Sequence, residues 1–100
     1  MDRKYVIVCN EHRSMWNGCL LFWGHLTDDE ESRSFGGYTS DIEQCERYTL
    51  EEIQDEHYTF PVYDEDTMTR RDFLNCEDIV ISISQLIKLG YGFMKVAYLK

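Results

Sequence analysis

Fourteen carboxylates fall between residues 27 and 66, against two cations in the same stretch, Arg33 and Arg47. Most of them gather in three places: Asp28, Asp29, Glu30 and Glu31; then Glu51, Glu52, Asp55 and Glu56; then Asp64, Glu65 and Asp66. Calcium loops need alternating oxygen ligands around a glycine, in the form D-x-[DN]-x-[DN]-G, and none of the three clusters has it. A large field of one sign instead attracts a basic surface, and the surfaces that grip phosphates are the natural basic ones. Carboxylates spaced along a helix and two loops can occupy the Lys and Arg positions of a nucleic-acid site. The competing interpretation is a solvated face that keeps the chain apart from its neighbours, the usual destination of Asp and Glu.

Other chemistry finds little support. His12, His25 and His57 are dispersed and no serine sits in a G-x-S-x-G context, so no enzyme and no catalytic residue is expected. Cys9, Cys19, His12 and His25 are a possible zinc set by type, but the spacings C-x₂-H and C-x₅-H fit recognised zinc patterns poorly. Neither a metal nor a cofactor is expected. The four cysteines, Cys9, Cys19, Cys45 and Cys76, contain no C-x-x-C pair and read as buried free thiols of a reducing compartment. The absence of a leader-type segment or a long apolar run leads to the expectation of a cytoplasmic protein without membrane contact. At net charge −9, direct contact with DNA or RNA is disfavoured, because phosphate would repel it.

The elements that must position these groups are short. One hundred residues make a single domain, 1–100, with one modest core. The runs KYVIVC (4–9) and CLLFWG (19–24) are β-branched and aromatic, and a turn-type Asn-Gly precedes the second, so they form an antiparallel hairpin. HLTDDEESRS is a water-facing loop, and FGGYT returns as a short strand. Ser40 with Glu43, and Thr49 with Glu52, match the capping box, which predicts helices over 41–46 and 50–57. Within the second, Glu51 with Asp55 and Glu52 with Glu56 are like-charge pairs four apart, so this helix is acidic at a cost to its own stability. YTFPVY (58–63) suits an edge strand, since Pro61 cannot donate to a ladder. One helical turn carries Met68, Phe73 and Leu74. A strand over 79–83 passes into a helix over 84–89 ended by Gly90, and YGFMKVAYL closes the chain as a strand. The class is α+β: a small, mostly antiparallel sheet of four or five strands with short helices on one face.

LLFWG (20–24) followed by GGYTSDIEQCERYTLEE (36–52) resembles a pattern of small phage and prophage proteins. There an apolar strand ends in Trp-Gly, and Gly-Tyr-Thr with a following Asp-Ile or Asp-Leu leads to an Arg-Tyr-Thr helix start. The likeness spans about the first half of the chain and departs at Asp28 to Ser34, where the pattern runs shorter. It implies a phage-type origin and carries over no catalytic residue. Small acidic phage proteins often block host defence nucleases, anti-CRISPR proteins among them, and that is an analogy of class.

The expectation is therefore an acidic inhibitor that occupies the nucleic-acid groove of a host nuclease effector by charge mimicry. Its contacts would be Asp28, Asp29, Glu30, Glu31, Glu51, Glu52, Asp55 and Glu56, with Asp64, Glu65 and Asp66 next. Changing the helix-50 carboxylates to amides is expected to weaken binding and leave the fold intact. Two alternatives stand beside it: sequestration of a small signalling nucleotide by Trp23, Tyr38, Arg47 and Tyr48, and a phage structural or assembly adaptor.

Overall fold

YVIVC is apolar without interruption, the pattern of a strand covered on both faces. It forms the central strand β1 (Tyr5–Cys9), and Val6, Ile7 and Val8 are wholly buried. The computed structural model describes residues 3–11, 20–28, 31–93 and 97–98. After β1 come β2 (Leu21–Trp23), β3 (Tyr38–Thr39), α1 (Leu50–Asp55), α2 (Arg70–Asn75), β4 (Asp78–Ser82), α3 (Ile83–Lys88), β5 (Gly92–Phe93) and β6 (Ala97–Tyr98). The main sheet runs β3-β2-β1-β4 with every neighbour antiparallel, Val8 facing Phe22 on one side and Ile79 on the other. The fold is a small α+β structure, as the sequence suggests.

Alternation along the strands divides the core between two faces. Val6, Val8, Phe22, Ile79 and Ile81 pack with Phe73 of α2, Leu86 of α3 and the turn residues Ile42 and Cys45. Ile7 and Val80 point the other way, to Tyr48 and to Ile53 of α1. The helices thus cover both faces of the sheet rather than one. No helix among the described residues is long and apolar enough to cross a membrane.

Three expected elements take other forms. Residues 41–46 make a turn instead of a helix, because local side chains compete for the backbone. Thr39 Oγ1 accepts from the Asp41 amide, Asp41 Oδ1 accepts from the Glu43 amide, and the Glu46 amide leaves for the Trp23 carbonyl. The 58–63 segment reaches β4 through one parallel bridge, with Val80 N donating to Pro61 O and Tyr63 N to Val80 O. The closing segment is not one strand: β5 and β6 pair with each other as a separate two-stranded sheet. The outer edge of β4 is already taken at Val80 by the Pro61 segment.

The second cap is present in full. Thr49 Oγ1 accepts from Glu52 N at 3.1 Å and Glu52 Oε1 accepts from Thr49 N at 2.8 Å. Thr69 and Asp72 build the same box on α2, one methylene shorter. Asn10, buried at the end of β1, donates to the carbonyls of Phe73 and Cys76 at 2.9 Å each and so ties the C-terminus of α2 to the sheet.

Both α1 and α3 end in a Schellman arrangement, in which the two amides past the cap return to the last turn. At α3 the left-handed position is Gly90, φ +98°, with Gly90 N on Ile87 O and Tyr91 N on Leu86 O. At α1 it is His57, φ +64°, with His57 N on Gln54 O and Tyr58 N on Ile53 O. A side chain with a Cβ is strained there. His57→Gly should therefore raise stability by up to about 1 kcal/mol, read as a higher urea midpoint at unchanged slope. A lower midpoint would mean that the imidazole makes a contact worth more than the strain.

Candidate functional site

The first finding about the acidic region is that two of its carboxylates face inward. Glu46 is fully buried, one position on from the Cys45 turn and two before buried Tyr48. Its Oε1 accepts from Arg33 Nη1 at 2.9 Å and from the Arg47 amide at 3.0 Å, and its Oε2 accepts from the Ser34 amide at 3.1 Å. The Arg33 side chain is only 5% exposed. The sequence places Arg33 in a water-facing loop and Glu46 in a helix; the two instead form a buried, hydrogen-bonded ion pair. The Tyr48 hydroxyl donates to the Ser34 carbonyl at 2.5 Å, fastening the same loop from a second point. Gly24, at φ +77°, lies beneath: a Cβ there would stand 2.7 Å from the Tyr48 hydroxyl and 2.9 Å from the Glu46 Cβ.

Glu52 belongs to the same fabric. Arg3 grips it through both Nε and Nη2, at 2.9 to 3.1 Å, and Arg33 Nε stands 3.7 Å from its Oε2. Burial works to raise its pKa, but the Arg3 hydrogen bonds, the Thr49 amide and the charges of Arg3 and Arg33 together outweigh it, and the net shift is downward. The expectation that all four helix-50 carboxylates can be neutralised without harm to the fold is corrected at this residue. Glu52 holds the N-terminus of α1 to β1 and to the 31–35 loop.

Most of the other described acids of the region face out. Glu51, Asp55 and Glu56 are exposed, α1 has no basic residue in its last turn, and no described cation lies within ion-pair reach of these three. Asp55 and Glu56 meet Glu31 around a cleft of about 160 Å³, with Glu52, Arg33 and the Phe35 ring completing its lining. The loop and helix clusters, separated by twenty residues of sequence, therefore converge. Asp28 is exposed in the loop, and Asp29 and Glu30 lie outside the described residues. Asp64, Glu65 and Asp66 are exposed around a different depression, shared with Val62, Tyr63 and Gln85. Asp64 is spent partly on its own turn, accepting from the Asp66 amide at 2.9 Å, and Glu65 stands 3.6 Å from exposed Lys88.

Other singled-out residues serve the fold. Tyr48 is fully buried, its ring packed against Phe35. Trp23 donates Nε1 to Asp78 at 3.0 Å and packs edge-on against Tyr38, Tyr58 and Phe60. Arg47 Nη1 lies 3.0 Å from both the carbonyl and the Sγ of Cys45, whose pKa burial pushes up to about 11 despite that cation. Cys45 is thus a neutral thiol near pH 7 and no nucleophile. Cys45 and Cys76 are free thiols, and no group of three or more His, Cys, Asp and Glu among the described residues is placed to hold a metal ion. His12 and Cys19 of the possible zinc set lie outside the described residues.

A groove of about 210 Å³ was not foreseen from the sequence. It lies between α1 and the edge segment, walled by the apolar Leu50, Ile53, Tyr58, Phe60, Val62 and Val80, with Gln54 and Thr59 completing its lining. Glu46 had a signal in principle: once residues 46–48 are read as extended, the period of two puts it on the face of Tyr48. Comparison of the chain with protein-family models, with curated proteins and with solved structures finds no match in any of the three.

Glu46→Ala should cost about 3–5 kcal/mol in urea unfolding, since it removes the carboxylate nearest the buried Arg33 charge. A loss below about 1 kcal/mol would show that the loop relaxes and lets water reach Arg33. For Glu52 the folded state favours the carboxylate, so its contribution is complete above the ordinary value of 4.5. It declines as pH falls below 4.5 and is gone once pH has passed the folded-state value. Glu52→Gln should lower stability at pH 7 by about 1–3 kcal/mol and flatten the fall in stability below pH 4.5. An acid limb of unchanged depth in the variant would assign that limb to other carboxylates.

Proposed function

We propose that this protein is a non-catalytic, stoichiometric inhibitor that lays its acidic face into a basic, phosphate-gripping groove of a nucleic-acid enzyme. By the phage-protein resemblance of its first half, the target class is a host defence nuclease, and the action is of the anti-CRISPR kind. One observation carries the reading: the cations nearest the acidic face are turned inward, while the acids at its rim point out. Arg33 is consumed by Glu46 and Arg3 by Glu52, and Arg47 turns back onto Cys45. Glu31, Asp55 and Glu56 line one cleft, with Glu51 exposed on the same helix. An acidic surface built only for hydration gains nothing from such convergence. A surface meant to receive guanidinium or ammonium groups does, because complementary potentials raise the encounter rate and set the register.

The mechanism asks for no bond to be made or broken. Carboxylates take the places of phosphates, the basic groove loses its counterions to the protein instead of to nucleic acid, and the substrate is excluded while the complex lasts. The test is capture of purified nuclease effectors at two salt concentrations, with the effector's own nucleic acid as competitor. The triple change Glu51→Gln, Asp55→Asn, Glu56→Gln spares Glu46 and Glu52, so the fold should stand. It should weaken capture about tenfold at low salt and reduce the salt dependence, three screened contacts of about 0.5 kcal/mol each. Undiminished capture by the triple variant would sink the charge-mimicry mechanism.

A further inference from the structure

The groove beside α1 is too small for a cofactor-sized guest, which commonly occupies about 300–1,000 Å³. At about 210 Å³ it has room for one large side chain. Six of its eight lining residues are apolar, with Gln54 and Thr59 adding polar edges; Val62 at its rim is 40% exposed, and α1 forms one side of it through Leu50, Ile53 and Gln54. The surroundings set the chemistry of the guest. The same helix turns Asp55 and Glu56 toward the acidic cleft and leaves Glu51 exposed. On the far side, Val62 also borders the depression of Asp64, Glu65 and Asp66. A slot lined mainly by apolar side chains, with carboxylates on both flanks, matches an apolar side chain carried between basic residues, and it repels an anionic membrane surface.

We infer that this groove receives a single large apolar side chain, such as leucine, from the basic segment of the partner, an inference that rests on the acidic-face reading above. Charge then brings the segment in and sets its register, while burial of the anchor supplies the part of the affinity that salt does not remove. Anchors of this kind, enclosed and dehydrated, dominate the energy of protein interfaces although they are few.

The test uses the full chain and two synthetic seven-residue peptides, each with six lysines and arginines around a central leucine in one and alanine in the other. Affinity is read by fluorescence titration at low and high salt, and location by amide chemical shifts. The leucine peptide should bind about tenfold more tightly, the advantage should persist at high salt, and shifts should appear at Val62 and Val80. Gln54→Trp, an exposed α1 position lining the groove, should fill it and abolish the leucine advantage while leaving the alanine peptide unaffected. Equal binding of the two peptides, with shifts confined to Glu51, Asp55 and Glu56, would overturn the anchor inference and keep the acidic-face reading. Binding of neither would overturn both.

Discussion

The Glu46 carboxylate is the constraint on which the acidic half of this protein depends. A carboxylate removed from water is tolerated only when charge and hydrogen bonds surround it, and here one guanidinium and two backbone amides do so. Those three donors come from Arg33, Ser34 and Arg47, so satisfying one buried group fixes the path of a loop and of the chain leading to α1. The Tyr48 hydroxyl on the Ser34 carbonyl and the bare Cα of Gly24 make room for the same junction. A loop that composition alone marks as a hydrated acidic linker is held to the sheet through its basic residue.

Helix α1 inherits its place from that junction. Its N-terminus is fastened three times over, by the Thr49 cap, by Arg3 on Glu52 and by Ile53 in the core. Its C-terminus is unfavourable in charge and in conformation: Asp55 and Glu56 sit where the helix dipole repels anions, and His57 holds a left-handed conformation. Six residues would not form this helix alone. Tertiary contacts at one end therefore sustain an acidic, strained other end, the distribution expected where the exposed charges are retained for something besides stability.

The parts legible in the sequence were those governed by neighbours along the chain. The strand β1, its hairpin partner β2, the Thr49–Glu52 cap and the Gly90 terminus each follow from a pattern within about ten residues, and α3 and β4 fell within one residue of expectation. Thr69–Asp72 carried the same signal as a capping box but with Asp at the third position, and a search for Glu or Gln passes over it. The segment 41–46 went the other way: Ser40 and Glu43 advertise a cap, yet Thr39 and Asp41 take the amides first. The inward turn of Glu46 and Arg33, the grip of Arg3 on Glu52 across 49 residues and the separation of β5 and β6 from the main sheet are decided by distant partners. The candidate site was half legible for that reason. The sequence shows how many acids there are, but only the fold separates those that hold the structure from those that face solvent.

That separation bears on how an acidic surface acts. Net charge by itself gives a field that salt screens over about 8 Å at physiological ionic strength, and any basic protein can answer it. Selectivity requires fixed positions, and positions on a loop and a short helix are fixed only if something rigid lies beneath them. In this chain the rigid layer is itself ionic: each inward carboxylate has captured an arginine that would otherwise stand at the surface and blunt the field. Breaking the internal pairs would therefore act on the outer face twice, by freeing the loop that carries Glu31 and by releasing cations toward Asp55 and Glu56. The buried ion pairs and the exposed acids are thus two parts of one arrangement, in which interior electrostatics determines how strong and how well placed the exterior charge can be.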